Sequence, residues 1–130
     1  MKRLVTQLNG PQLNWAVATL DGYRNLHFKH YKSSIDGHEA QWLIMSHNNG
    51  DIDFSDLDYC NDWSLTGPII EQERIATWSK FDEPNKQVVW RAQYPDTSSH
   101  TTGPSVLIAA MRCYVLSKLG EQIDIPAELM

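Results

Sequence analysis

The chain has 130 residues and a formal net charge of −5 at pH 7. This length fits one domain, residues 1–130, that can bury a sizeable core. The acidic balance argues against a protein that binds duplex DNA, or nucleic acid in general, nonspecifically, because such proteins carry clustered lysine and arginine. No apolar run approaches the ~20 residues of a membrane span, so we expect no membrane association.

The first residues, Met1 to Thr6, contain no signal-peptide core. Cys60 and Cys113 belong to no ligand motif, which is typical of free thiols in a reducing compartment. Both observations predict a cytoplasmic protein.

Three Gly-Pro steps divide the chain, and the first and third open helical patterns. After Gly10-Pro11, apolar residues recur on one helical face until Gly22 ends the pattern. Trp15 points away from that face, which indicates a pocket wall, a dimer contact or loop packing. We interpret the middle step, Gly67-Pro68, as a rigid turn.

The middle of the chain has the pattern of β-strands, predicted over residues 26–31, 41–46, 73–81 and 87–94. His47-Asn48-Asn49-Gly50 predicts one hairpin and Asp82-Glu83-Pro84-Asn85 predicts another. Residues 95–102 are predicted to form a polar loop. The alternating tail, residues 122–126, predicts an edge strand.

A long apolar helix is predicted between Gly103-Pro104 and Gly120. Because it is apolar on nearly every side, we expect it to lie inside the protein. The elements together predict an α+β fold. It would have an N-terminal helix, an antiparallel sheet of about four or five strands, and a long C-terminal helix packed on the sheet.

Arg112 lies in the middle of this helix, where its neighbours three and four residues away are apolar. Since burying an unpaired charge is unfavourable, three interpretations are open. The side chain extends to water, it forms a buried ion pair with Asp62 or Glu71, or it binds an anionic ligand through its two parallel N–H groups.

Asp62-Trp63, which precedes Gly67-Pro68, predicts either one wall of a ligand pocket or a loop held to the core by Trp63. In a pocket, Trp63 would stack on the ligand and Asp62 would accept hydrogen bonds. The N-terminus of the long helix is a second candidate for phosphate binding. It lies ~12 Å from Arg112 along the helix axis, so only a nucleotide-sized ligand would contact both.

Asp51, Asp53, Asp56 and Asp58 resemble a calcium-binding loop, but Asp56 stands where that loop requires glycine. Their alternation with apolar residues predicts instead a strand with one solvent-facing side. We therefore expect no metal site and no cofactor. The chain contains no P-loop and no nucleophile elbow, so a binding protein is favoured over an enzyme.

Three segments of the sequence carry a family resemblance. They contain Leu13-Asn14-Trp15-Ala16-Val17-Ala18, then Asp62-Trp63 with Gly67-Pro68-Ile69-Ile70-Glu71, and finally Gly103-Pro104 with Ala109-Ala110-Met111-Arg112-Cys113-Tyr114. On these residues the chain resembles the NinX-like family of small phage and prophage proteins. Members usually carry Leu-Asp-Trp where this chain has Leu13-Asn14-Trp15, so no acidic role is transferred there. The resemblance implies a phage accessory protein of the bacterial host cytoplasm, and it implies no particular activity.

The leading hypothesis is a protein that binds a small anionic or nucleotide-like ligand in a pocket lined by Trp, Asp and Arg. Its candidate ligand-binding residues are Trp15, Asp62, Trp63, Glu71 and Arg112. The alternative is a protein–protein interaction module that modulates a host or phage protein, or pairs as a homodimer. The acidic stretch from Asp51 to Asp58, together with Trp15, would then form the interface.

Overall fold

A computed structural model describes residues 1–48 and 50–130 of the chain. Its three α-helices are α1 (Gly10–Leu20), α2 (Trp63–Glu73) and α3 (Val106–Leu119). Its strands are β1 (Lys2–Leu4), β2 (Arg24–Lys32), β3 (Glu39–His47), β4 (Gly50–Asp53), β5 (Ala76–Asp82), β6 (Gln87–Gln93), β7 (His100–Gly103) and β8 (Gln122–Asp124). The α+β class is confirmed. Over the described ranges, every helix is too short or too polar to cross a membrane.

The strands form three small antiparallel sheets, so the expectation of one sheet with four or five strands is wrong. The sheets have the orders β1-β8, β2-β3-β4 and β5-β6-β7. The physical reason is α2, which lies in the chain between β4 and β5 and divides the strands into two meanders. The edge strand expected near the C-terminus is confirmed as β8, which pairs with β1.

Both predicted hairpins are confirmed by strand pairing. His47 pairs with Gly50 and Asp82 pairs with Gln87; Asn49, within the first hairpin, lies outside the described residues. The largest difference in a predicted strand boundary concerns β5. The strand expected from residue 73 begins at Ala76, because α2 runs to Glu73 and the next residue adopts a left-handed conformation.

Residues 95–102 are not entirely a loop, because their C-terminal part belongs to β7 (His100–Gly103). This strand pairs with β6, and its alternating burial places Thr101 and Gly103 in the interior. The strand was not predicted because its two buried residues, a threonine and a glycine, do not form the apolar alternation that is typical of a strand. The Thr101 hydroxyl donates to the Ala109 carbonyl of α3 at 2.7 Å.

Helix α3 forms the centre of the core. It packs on β5, β6 and β7 and also contacts α1, α2 and the 3-10 turn Val5–Gln7. The predicted long helix on a sheet is therefore confirmed for one of the three sheets. Gly103 allows the close approach, because a Cβ atom there would lie 2.8 Å from the Ala109 backbone nitrogen. Ser105 caps the helix by accepting a hydrogen bond from the Ile108 N–H at 3.2 Å.

Candidate functional site

Among the residues that the structure describes, Arg112 binds two backbone carbonyls and no carboxylate. Its Nε donates to the Leu8 carbonyl at 2.7 Å and its Nη1 donates to the Thr102 carbonyl at 2.9 Å. Within residues 1–48 and 50–130, neither Asp62 nor Glu71 forms an ion pair with it, so that interpretation is wrong. The guanidinium is half-buried, and burial lowers the pKa of Arg112 from its ordinary value.

These bonds explain how a cation is accommodated in an apolar helix. They connect α3 to Leu8, in the segment before α1, and to Thr102 of β7. The two carbonyl groups accept hydrogen bonds from the Arg112 guanidinium. They carry no net negative charge, so they do not neutralise the positive charge of Arg112. Arg112 therefore contributes both a structural tie and a positive charge that no described carboxylate neutralises through an ion pair.

Asp62 and Trp63 begin a helix, so they do not lie in a loop before a rigid turn. The Asp62 carboxylate caps α2 by accepting hydrogen bonds from the Ser64 N–H at 2.9 Å and the Ser64 hydroxyl at 2.6 Å. Pro68 lies inside this helix, which corrects the interpretation of Gly67-Pro68 as a turn. Trp63 is 57% exposed, so it does not hold a loop to the core.

Trp63 forms one side of a small, open depression of the surface, here called the Trp63 cavity, with a volume of about 310 Å³. Trp90 of β6 forms another wall, and the N-terminal end of α3 contributes Val106 and Leu107. Among the described contacts, the backbone N–H groups of Val106 and Leu107 have no hydrogen-bond acceptor. The remaining lining residues are Cys60, Asn61, Pro104 and Ser105.

Cys60, a buried thiol, lines the Trp63 cavity. Arg112 does not line the cavity, but its charge acts on the Cys60 thiol, which does. Burial raises the pKa of Cys60 to about 11, and the Asp58 carboxylate acts in the same direction. The positive charge of Arg112 opposes that shift. The thiol is therefore protonated at neutral pH and is a poor nucleophile.

Trp15 and Glu71 lie away from the Trp63 cavity. Trp15 is half-buried and packs against the core. Glu71 is exposed on α2, and the ion pair in this region belongs to Glu73, whose Oε1 lies 3.0 Å from Nζ of Lys118. Of the five predicted residues, only Trp63 is among the described residues that line the Trp63 cavity. Asp62 is its neighbour in sequence and caps α2, and Arg112 binds the Leu8 and Thr102 carbonyls.

Most carboxylates of the acidic stretch have local partners. Asp51 accepts from the Ser46 hydroxyl, Asp53 caps a 3-10 turn, and Asp58 accepts from the amide of Asn14. The expected strand is present as β4 and ends at Asp53. In the described part of the chain, no group of three or more His, Cys, Asp or Glu side chains is placed to hold a metal ion.

Two further features were missed by reasoning from the sequence. The sequence places Trp90 on a predicted strand but does not predict that it lines the same cavity as Trp63, because that depends on tertiary packing. The β2–β3 hairpin, Arg24–His47, is called the arm below, and it carries exposed aromatic residues beside a groove of about 590 Å³. Its basic first strand, Arg24–Lys32, contains no acidic residue and could have been recognised from charge patterning.

Comparison with known proteins agrees with the resemblance noted in the sequence. A family model described as Bacteriophage P22, NinX matches residues 4–118, which include all the residues of the Trp63 cavity. A search of curated proteins found no match.

Proposed function

The chain belongs to the bacteriophage P22 NinX family, and we propose that this phage accessory protein binds a small anionic, nucleotide-like ligand in the Trp63 cavity. One observation carries the proposal. Trp63 and Trp90, from separate elements, converge on the N-terminal end of α3, where two backbone N–H groups lack a described acceptor.

The chemistry of the cavity suits a flat ring attached to an anion. Indole rings stack on planar groups, and free N–H groups at a helix N-terminus attract phosphate or carboxylate. The positive charge of Arg112 acts on Cys60, which is one of the lining residues. A volume of about 310 Å³ is at the lower end for ligand pockets, which favours a single nucleotide or a smaller molecule. Asp62 acts as a positioning residue, since its cap fixes the start of α2 and hence Trp63.

The test is isothermal titration calorimetry with adenosine monophosphate, with adenosine and inorganic phosphate as separate fragments. We expect the nucleotide to bind more tightly than either fragment, because stacking and anion binding act together. Trp63→Ala should weaken nucleotide binding at least about fivefold, the effect of losing one stacked ring. Trp78→Ala is the matched control, since Trp78 is an exposed tryptophan that does not line the cavity.

A folded Trp63→Ala variant that binds the nucleotide as well as the unsubstituted protein would contradict the proposal. Native mass spectrometry of protein purified from infected cells supplies an independent test. It reports any retained small molecule and the number of subunits in one spectrum. A spectrum with a bound protein and no small ligand would favour the interaction module.

We place that alternative, binding of a host or phage protein through the acidic stretch, second. Three of its carboxylates, Asp51, Asp53 and Asp58, accept hydrogen bonds within the chain. Trp15, the aromatic residue assigned to that interface, is half-buried against the core. Less of this surface is therefore free for a partner than the sequence suggested.

A further inference from the structure

The groove beside the arm lies on one face of the β2-β3-β4 sheet, called the groove face below. In the antiparallel register Lys29 lies opposite Trp42 and Ile44 lies opposite Asp53, and all four residues line the groove. Residues directly opposite each other on paired strands place their side chains on the same face. The three strands therefore present one surface, with β3 in its middle and β2 and β4 at its sides.

The middle of the groove face is apolar and carries an exposed indole ring. Trp42 is 48% exposed, and Tyr31, which is 46% exposed, meets it edge to face with ring centroids 6.0 Å apart. Ala40 and Ile44 lie on the same face, before and after Trp42 on β3. Exposed aromatic side chains that are gathered on one surface and bordered by charges are typical of a site of protein association.

The charge changes sign across the strands of the groove face. Strand β2 contributes Lys29 on one side, and β4 contributes Asp51 and Asp53 on the other. Within the described part of the chain, none of these three residues forms an ion pair. The hydrogen bonds that the two carboxylates accept leave their negative charge in place. The aspartates would repel an anionic partner and the lysine would repel a cationic one, so the surface favours a partner of mixed charge.

The acidic residues at the tip of the arm do not line the groove. The Glu39 carboxylate lies 3.4 Å from Nε2 of His30, which follows Lys29 on β2 and therefore points to the other face of the sheet. The Asp36 carboxylate accepts a hydrogen bond from the His38 N–H within the turn. The contrast between a basic β2 and an acidic β4 therefore holds on the groove face itself.

A second copy of the groove face complements this arrangement of charges. Two sheets that pack face to face keep their strands aligned to within about 30°. If the two-fold axis between the copies is parallel to β3, then β3 lies over β3, and β2 of each copy lies over β4 of the other. Asp53 is then the acid nearest to Lys29, because their partners on β3, Ile44 and Trp42, are two residues or about 7 Å apart. Extended lysine and aspartate side chains bridge that distance.

Two other ways of pairing the arms bring like charges together. A two-fold axis that crosses the strands would place β2 over β2 and β4 over β4. Pairing along the free edge of β2 would join two strands that each carry three lysine or arginine residues and no acidic residue. Like charges placed opposite each other are unfavourable, so the axis parallel to β3 is favoured.

We propose that the protein forms a homodimer through the groove face of the arm. The two Trp42 rings pack together near the two-fold axis, and Lys29 of each copy forms an ion pair with Asp53 of the other. A face of three short strands is small for a permanent dimer, so the dimer dissociates at micromolar concentrations. This interface is separate from the Trp63 cavity and goes beyond the ligand binding proposed for that cavity.

The first experiment is sedimentation equilibrium of the unsubstituted protein between about 1 and 500 µM, the range in which a micromolar dimer dissociates. We expect an equilibrium between monomer and dimer. Trp42→Ala should weaken dimerisation at least about tenfold, because a large aromatic residue at the centre of an interface usually dominates its affinity. Phe81→Ala is the matched control, since Phe81 is an aromatic residue of similar exposure on the β5–β6 hairpin.

The second experiment reverses the charges. Lys29→Glu places acid against acid at both symmetry-related contacts, and Asp53→Lys places lysine against lysine. Each variant alone should dimerise at least about tenfold more weakly than the unsubstituted protein. An equal mixture of the two should recover the dimer, because both contacts of the mixed dimer then pair opposite charges. Lys80→Glu is the matched control, since it makes the same charge change at an exposed lysine of β5.

Three results would overturn the proposal, each with variants that are folded by circular dichroism. The first is an unsubstituted protein that stays monomeric at the highest concentration. The second is dimerisation of Lys29→Glu that is no weaker than that of Lys80→Glu. The third is a mixture of the two charge-reversed variants that stays monomeric. Trp63→Ala should leave dimerisation unchanged and Lys29→Glu should leave nucleotide binding unchanged, so failure of the dimer and failure of the Trp63 cavity can be told apart.

Discussion

Many side chains of α3 are buried, whereas the aromatic side chains towards the tip of the arm are exposed. At the base of the arm, Ile44 and Met45 belong to the core. Met111 and Val115 are fully buried, and Arg112 donates to two carbonyls. On the arm, Tyr31 and Trp42 are about half exposed. The comparison shows that the folding free energy comes mainly from the α3 region, since stability follows buried apolar area. Side chains on the arm are freer to serve binding.

The strongest test of this difference between the α3 region and the arm is to truncate one large side chain in each and compare the losses of stability. Met111→Ala should lower the free energy of unfolding by about 2–5 kcal/mol, because it leaves a cavity in the core. Trp42→Ala should lower it by less than about 1 kcal/mol, because much of the ring already contacts water. Urea unfolding of both variants measures the difference. Equal losses would mean that the arm is part of the stabilising core.

The next largest loss of stability is expected from a substitution that crowds the contact between α3 and β7. Gly103→Ala would place a Cβ atom 2.8 Å from the Ala109 backbone nitrogen, so the helix must shift. We expect a loss of about 1–3 kcal/mol, the usual effect of overpacking. Thr102→Ala, at an exposed neighbour on the same strand, is the control. If the two variants unfold at the same urea concentration, α3 approaches β7 less closely than described.

Replacing Arg112 sharpens the comparison, because it tests whether the buried region needs this cation for stability. Arg112→Met keeps the apolar stem but removes the donors to the Leu8 and Thr102 carbonyls. We expect a loss of about 1–3 kcal/mol in urea unfolding, and only partial recovery in Arg112→Lys, whose ammonium lacks the fork geometry. If Arg112→Met is as stable as the unsubstituted protein, the structural role of Arg112 is contradicted and only ligand binding remains as its role.

The smallest expected effect concerns the ion pair at the end of α3. Hydrogen bonds from Lys118, and then from Tyr94, lower the pKa of Glu73. The ionised form is favoured in the folded state. Its contribution is present above the ordinary glutamate pKa of about 4.3 and is lost as the pH falls through the lowered value.

Thermal unfolding between neutral and acidic pH tests this effect with Glu73→Gln. The variant should be less stable than the unsubstituted protein at neutral pH, and the difference should shrink towards acid. A difference that stays constant with pH would contradict a role for the charge. Glu71→Gln is the matched control, because the exposed Glu71 forms no described ion pair.

By itself, the sequence determined the local elements and the family. Helix α1 begins at a Gly-Pro step, α3 begins at its Ser105 cap, and both expected hairpins are present, because caps and turns act over a few residues. Local signals failed at Gly67-Pro68. The Asp62 cap starts α2 early enough to include Pro68 in the helix, although proline normally disfavours a helix interior.

Only the tertiary structure decided the partition into three sheets, the partners of Arg112 and the exposure of the aromatic residues. The Leu8 carbonyl is 104 residues from Arg112 in sequence, so no local pattern could identify it as the acceptor. Trp63 of α2 and Trp90 of β6 line one cavity with the first residues of α3, although they are far apart in sequence. Whether a tryptophan is buried or free to bind depends on what packs over it, and that is set by the whole fold.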